Sequence, residues 1–225
     1  MQAALVCSNA PMTEWNSLLK SNEKFVKNHT FAKQRASLKN GQNPPVIVLS
    51  CSDSRVPPEL IFDKKLGSLF VVRVAGEVVD DVVIDSIEYA VRTFDSRVLV
   101  ILGHSDCGAV AGALKHLQKN AGVIDKPRGY LNAVLIPIET AIIESGINVL
   151  GAKALEESIQ ANIKYIANQL LSRSHAISEA LHEGQLIMVG AEYFLDTGKV
   201  DQLFIMPQSV INKKINSSQP MRCKK

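Results

Sequence analysis

Two short runs, Val46-Ile47-Val48-Leu49-Ser50-Cys51 and Val98-Leu99-Val100-Ile101-Leu102-Gly103-His104, are apolar almost without interruption and rich in β-branched residues. That is how a strand buried on both faces reads, and such strands belong to parallel sheets covered by helices. Each run ends in a residue with chemistry, since Cys51 opens Cys51-Ser52-Asp53-Ser54-Arg55 and His104 opens His104-Ser105-Asp106-Cys107-Gly108. In an open parallel sheet ligands bind beyond the carboxyl ends of the strands, and both clusters stand there.

The remaining pattern fits the same architecture. From Thr13 to about Leu38 the spacing of Trp15, Leu18, Leu19, Phe25, Val26 and Phe31 predicts two short amphipathic helices, with Thr13 as N-cap. Gly41-Gln42-Asn43-Pro44-Pro45 interrupts them, because paired prolines exclude helix. Pro57-Pro58 starts a short helix, Leu69–Val74 reads as a second buried strand, and Val82–Phe94 has helical spacing. Further helices are expected from Gly108 to about Leu117, from Gly129 to Glu144 with a kink or break at Pro137, and from Ala152 to Leu171. A strand is expected at Leu186–Val189, and a tight turn near Gly198 returns Gln202–Met206 as an antiparallel edge. The expectation is an α/β fold, a mainly parallel central sheet flanked by helices, with an antiparallel edge strand and an N-terminal helical arm. Its parts are the arm at residues 1–40, one α/β catalytic domain at 41–211 and a polar tail at 212–225.

Cys51, His104 and Cys107 offer two thiolates and one imidazole, a three-ligand zinc set that leaves a fourth position for water in a catalytic site. Asp53 lies two residues after Cys51, on the same side if the strand geometry continues. Arg55 is placed to hold that carboxylate through two charge-assisted hydrogen bonds. Two thiolates nearly cancel the charge of Zn²⁺, so the ion is a weaker Lewis acid than one bound by three histidines and needs an orienting acceptor, for which Asp53 is the candidate. Asp53 can instead take the fourth position and close the site.

Composition narrows the partners. A net charge of +3 over 225 residues, with Lys and Arg dispersed, lacks the basic footprint of a nucleic-acid binder. No apolar run reaches the roughly 18 residues of a membrane span, so neither partner is expected. Four cysteines do not make a disulfide scaffold, and Cys7 and Cys223 lie near the termini without an assigned role. The first residues lack the basic region and apolar stretch of a secretory signal. A cytoplasmic location is expected, the alternative being a periplasmic chain without its signal.

The two motifs and their flanks resemble those of the β-class carbonic anhydrases, closely from Gln42 through Tyr89 to Gly112 and more loosely to Gly198. The resemblance implies reversible hydration of carbon dioxide to bicarbonate and a proton by zinc-bound hydroxide, with one Zn²⁺ per subunit on Cys51, His104 and Cys107 and an orienting Asp53–Arg55 dyad. It also implies that Gln42 hydrogen-bonds substrate, that Phe70, Ala75 and Tyr89 line an apolar carbon dioxide pocket, and that the Gly108 N–H contacts bicarbonate. Tyr89 is expected to serve a partner's site. The arm is expected to wrap a neighbouring subunit in a homodimer or homotetramer.

Two departures stand out. Where many members read Asn-Ala-Gly-Asn after the second strand, this chain has Val74-Ala75-Gly76-Glu77. The position of a Trp used by some members in a noncatalytic bicarbonate site holds Val48, although Arg73 matches another member of that set and Tyr193 lies near the third. Without the Trp, the open, plant-like type is implied. The alternatives are a related zinc hydrolase acting on another cumulated small molecule such as carbon disulfide, and a structural zinc-binding protein.

Overall fold

The apolar runs form strands at the expected places. In the computed structural model, which describes residues 10–120, 122–124 and 131–206, β1 spans Val46–Cys51, β2 Leu69–Val74, β3 Val98–His104, β4 Ile187–Tyr193 and β5 Val200–Met206. They make one sheet in the order β2-β1-β3-β4-β5. The first four strands run parallel and β5 pairs antiparallel with β4. β4 is longer than Leu186–Val189 because Gly190, Ala191, Glu192 and Tyr193 continue it opposite Ile101 to His104. Glu192 is buried there, a placement that side-chain polarity does not announce.

The helices are α1 at Ala10–Lys27, α2 at Ala32–Ser37, α3 at Pro58–Ile61, α4 at Asp81–Thr93, α5 at Gly108–Lys119, α6 at Asn132–Glu144, α7 at Ala154–Arg173 and α8 at His175–His182. α1 is one 18-residue helix beginning before Thr13, so Thr13 is not its N-cap. α6 begins at Asn132 and continues through Pro137 without interruption. Gly129, the expected start of that helix, lies outside the described residues, as do residues 212–225. α8 is an addition to the expected set. Ser174 ends α7 and caps the next helix, accepting from Ile177 N at 3.1 Å while its hydroxyl donates to Glu88 at 2.6 Å.

The chain divides into two compact units, Met1–Gly41 and Gln42–Lys225. In the first, no described residue is buried. Trp15, Leu18, Leu19, Val26 and Phe31 are exposed, and local order comes from Phe25, whose ring sits 6.4 Å from Phe31 and 5.0 Å from the Arg35 guanidinium. The second unit holds the core. Ile47 and Leu49 of β1, Leu99 and Ile101 of β3 and Met188 of β4 pack with Ile87 of α4, Leu117 of α5, Ile142 of α6 and Ile159, Ile163 and Ile166 of α7. The other sheet face carries a smaller buried cluster of Val48, Leu102 and Ala191.

α7 lies close against β3, and Gly103 is where the approach is tightest. A Cβ there would fall 2.6 Å from Ile163 Cδ1, 2.8 Å from its Cγ1 and 3.2 Å from a Glu77 carboxylate oxygen. Interiors at crystal-like density do not absorb an extra methyl freely. Gly103→Ala is therefore expected to lower stability by about 1–3 kcal/mol, read as a fall in urea midpoint; an unchanged midpoint would show that α7 can move away.

A candidate metal centre at the strand ends

Register builds the site. β1 and β3 are parallel with Ser50 opposite Leu102, so Cys51 comes level with Gly103, and His104 projects one residue beyond. The chain then turns through Asp106, held in the left-handed region at φ 54°, which Asp tolerates better than most residues. Cys107 follows at the entry to α5. The turn returns Cys107 toward the two strand ends, and the ligand atoms of Cys51, His104 and Cys107 all lie within 4.8 Å of one another. All three residues are buried.

The surroundings settle each donor. His104 Nδ1 is 2.8 Å from the Ser105 carbonyl; donating there leaves Nε2 as the free lone pair, the usual arrangement behind a metal-binding imidazole. That Nε2 is buried with no hydrogen-bond partner among the described residues. Burial favours the neutral ring, but the Cys51 sulfur and the Ser105 carbonyl outweigh it and raise the imidazole's pKa. Cys51 also accepts the Gly76 N–H at 3.3 Å. The contact between the two sulfurs favours one thiolate: the bond from Cys107, helped by His104 and backbone N–H groups, lowers the pKa of Cys51, and the same contact together with burial raises that of Cys107. Two soft sulfurs and an orphaned imidazole nitrogen fit a tetrahedral metal of the zinc type.

Asp53 stands beside this cluster, with Oδ2 4.0 Å from His104 Nε2. Arg55 grips both its oxygens, Nε on Oδ1 at 2.9 Å and Nη2 on Oδ2 at 2.7 Å, and its backbone N–H adds a third bond at 2.9 Å. These bonds hold the carboxyl well below the usual carboxylate range. Arg73 holds the loop from the neighbouring strand, donating to the Cys51 carbonyl at 2.9 Å and the Asp53 carbonyl at 2.6 Å. A charged residue in the apolar run of β2 was the sequence signal for that clamp.

The other candidates separate into two groups. Ala75 follows β2 directly and Gly108 opens α5, both exposed near the ligands; a side chain at Gly108 would meet nothing within 4 Å. Phe70 pairs with Ile47, four residues before Cys51, which is about 13 Å away along the strand. There it meets Tyr89 and Phe94, with ring centroids 5.5 to 6.3 Å apart. Asn43, next to the exposed Gln42, exchanges hydrogen bonds with Asp95, next to Phe94. Gln42, Phe70 and Tyr89 thus gather toward the opposite end of the sheet from their own chain's Cys51, His104 and Cys107.

An α/β sheet with a Cys-His-Cys cluster able to hold a metal ion, beside an arginine-held aspartate at its strand ends, is the arrangement of a metal-site protein of the α/β class. Residues 46–200 match the family model described as carbonic anhydrase. The chain is 38% identical over 194 residues to carbonic anhydrase 2 of Mycobacterium tuberculosis, covering 84% of this chain and 91% of that protein. It is 35% identical over 200 residues to a carbonic anhydrase of Mycolicibacterium smegmatis, covering 85% and 92%. A tetrameric β-carbonic anhydrase of Sordaria macrospora superposes with a TM-score of 0.71 at 26% identity, over 85% of this chain and 97% of that one. The chain belongs to the β-carbonic anhydrase family, whose members are carbonate dehydratases.

Glu77 is the departure the structure explains in part. It is 1% exposed, left-handed at φ 44°, and has one oxygen without a partner among the described residues. Burial, with the charge of Cys51 added, pushes its carboxyl up to about 8. Above about pH 4.5 the unfolded chain gives up this proton while the folded chain keeps it until about 8, so stability falls as pH rises through that window. Glu77→Gln removes that slope. The metal-free variant is expected to exceed the metal-free parent in urea midpoint at pH 8 and to approach it at pH 5; parallel pH profiles would show that Glu77 does not hold its proton.

Proposed function

We propose that this chain catalyses the reversible hydration of carbon dioxide to bicarbonate and a proton, with one zinc ion held by Cys51, His104 and Cys107. The observation that carries this is the convergence of the three ligand atoms within 4.8 Å. When bound, zinc supplies the Lewis acidity that lets water act as a nucleophile near neutral pH. The chain's own groups do the rest. The Ser105 carbonyl fixes the His104 tautomer. Asp53, kept ionised by Arg55, offers an acceptor that orients the attacking water and refuses a substrate oxygen that carries no proton. The Gly108 N–H at the start of α5 suits a bicarbonate oxygen, since a helix N-terminus favours an anion.

The position of Asp53 in its pair with Arg55 supports the open form. Because its carboxyl is held below the usual range, the pair stays ionised on acidification to pH 5. Stopped-flow hydration of carbon dioxide tests the reading. Zinc-dependent turnover is expected in the parent protein, with Asp53→Ala lower in kcat/KM by about a hundredfold, the cost of losing a positioning group at the reacting centre. Arg55→Lys should fall between them, because it keeps the charge and loses the two-pronged grip. Absence of turnover with zinc fully bound would move the chain to the structural reading or to another cumulated substrate.

The same reading assigns Gln42, Phe70 and Tyr89 to the site of a neighbouring copy, in a homodimer or homotetramer joined through the arm. Their distance from their own chain's ligands supports this, as does an arm with an exposed apolar stripe. Coexpression of Cys107→Ser with Tyr89→Ala provides the check. Each variant alone lacks an intact site, while random pairing leaves roughly a quarter of the sites with both partners' wild-type residues. Activity near that fraction is expected, and none above the separate variants would place the aromatic residues in the fold alone.

A further inference from the structure

Asn162 is the one amide in the buried stripe that α7 turns toward the sheet, between Ile159, Ile163 and Ile166. A polar side chain at full burial is destabilising unless it is bonded. Asn162 Nδ2 donates to the Gly76 carbonyl at 2.9 Å and lies 3.3 Å from a Glu77 carboxyl oxygen. Both neighbours are acceptors, so the amide orientation is dictated by its partners. Those two residues make the turn after β2, in which Glu77 is the strained member. Gly76 and Glu77 are successive left-handed residues, at φ 64° and 44°, and a Cβ at Gly76 would fall 2.7 Å from Ile138 Cδ1. Left-handed backbone is unfavourable at a residue such as Glu and persists only where its surroundings enforce it. What the turn delivers is the Gly76 N–H on Cys51 Sγ at 3.3 Å.

We propose that Asn162 is a positioning residue for the metal centre, gripping both residues of the 76–77 turn from α7 so that the Gly76 N–H stays on the Cys51 sulfur. The inference rests on the zinc reading above. Its chemical sense follows from charge: an N–H bond to a thiolate draws electron density from the sulfur, so an ion bound by two thiolates keeps more of its acidity. Groups behind the ligands typically change metal affinity by about 10–100-fold when removed.

The test compares the parent chain, Asn162→Ala, Asn162→Leu and, as a control, Ser158→Ala, which removes a buried hydroxyl bond to Ala154 on the same helix without reaching the turn. Each is measured metal-free and zinc-loaded for urea midpoint, for zinc release to a chelator, and, with cobalt(II) in place of zinc, for the thiolate-to-cobalt absorption band. Expected for both Asn162 variants are a smaller zinc-dependent gain in midpoint, release faster by about tenfold or more and a shifted cobalt band. Ser158→Ala should lower both forms equally and leave the band in place. Should Asn162→Ala fail to fold, Asn162→Leu, of similar size and without a donor, is read by the same criteria. Asn162 variants that lose stability equally with and without zinc, with the parent's release rate and cobalt band, would overturn the proposal. A parent chain that takes up neither zinc nor cobalt would overturn the zinc reading itself, a different result.

Discussion

Three electron-pair donors with almost no access to water, gathered within 4.8 Å, set the terms for the rest of this structure. Two sulfurs so close cannot both ionise without an opposing charge, and a buried imidazole nitrogen without a partner is costly. The surrounding backbone is organised to answer that demand. The parallel pairing of β1 and β3 brings Cys51 and His104 to the same edge, the left-handed turn at Asp106 brings Cys107 back to them, and the Gly76 N–H and Ser105 carbonyl hold two donors from behind.

Much of this was legible in the chain because it rests on short-range rules. Continuous β-branched runs mark strands buried on both faces, and a Cys or His at the end of such a run falls where parallel sheets bind ligands. The Asp53–Arg55 pair was legible for the same reason, as its partners are two residues apart and their bonds follow from local geometry. Long-range packing carried no such mark. Glu77 and Glu192 read as surface residues by type and are each 1% exposed. Pro137, a helix breaker by rule, lies inside α6 without ending it, because tertiary burial of Ile138 and Ile142 outweighs one missing hydrogen bond. Asn162 did leave a trace, a lone amide in an apolar stripe, but its partners are 85 and 86 residues away and no periodicity points to them.

The separation of the candidate residues has a consequence for what one chain can do. Asp53, Ala75 and Gly108 stand with Cys51, His104 and Cys107, whereas Phe70 and Tyr89 stack with Phe94 about four residues down the sheet. The exposed half of Tyr89, together with an arm whose unit buries none of its described residues, leaves apolar surface that a lone subunit presents to water. Such surface is disfavoured unless another copy covers it. Association and catalysis would then share one requirement in the proposed assembly.

Charge explains why so many N–H groups surround so small a site. Two thiolates bring an ion of charge two nearly to neutrality, and an ionised Glu77 would carry the local sum to about −1 and weaken the pull on bound water. Burial of Glu77 opposes that ionisation. The Gly76 N–H on Cys51 acts in the same direction, drawing charge off a sulfur, and the Arg55 guanidinium balances Asp53 so that this carboxylate adds no net charge of its own. With zinc bound as proposed, each of these groups would preserve positive potential at the position the three donors face, and Asn162 would act on the one contact in the set that depends on a strained turn.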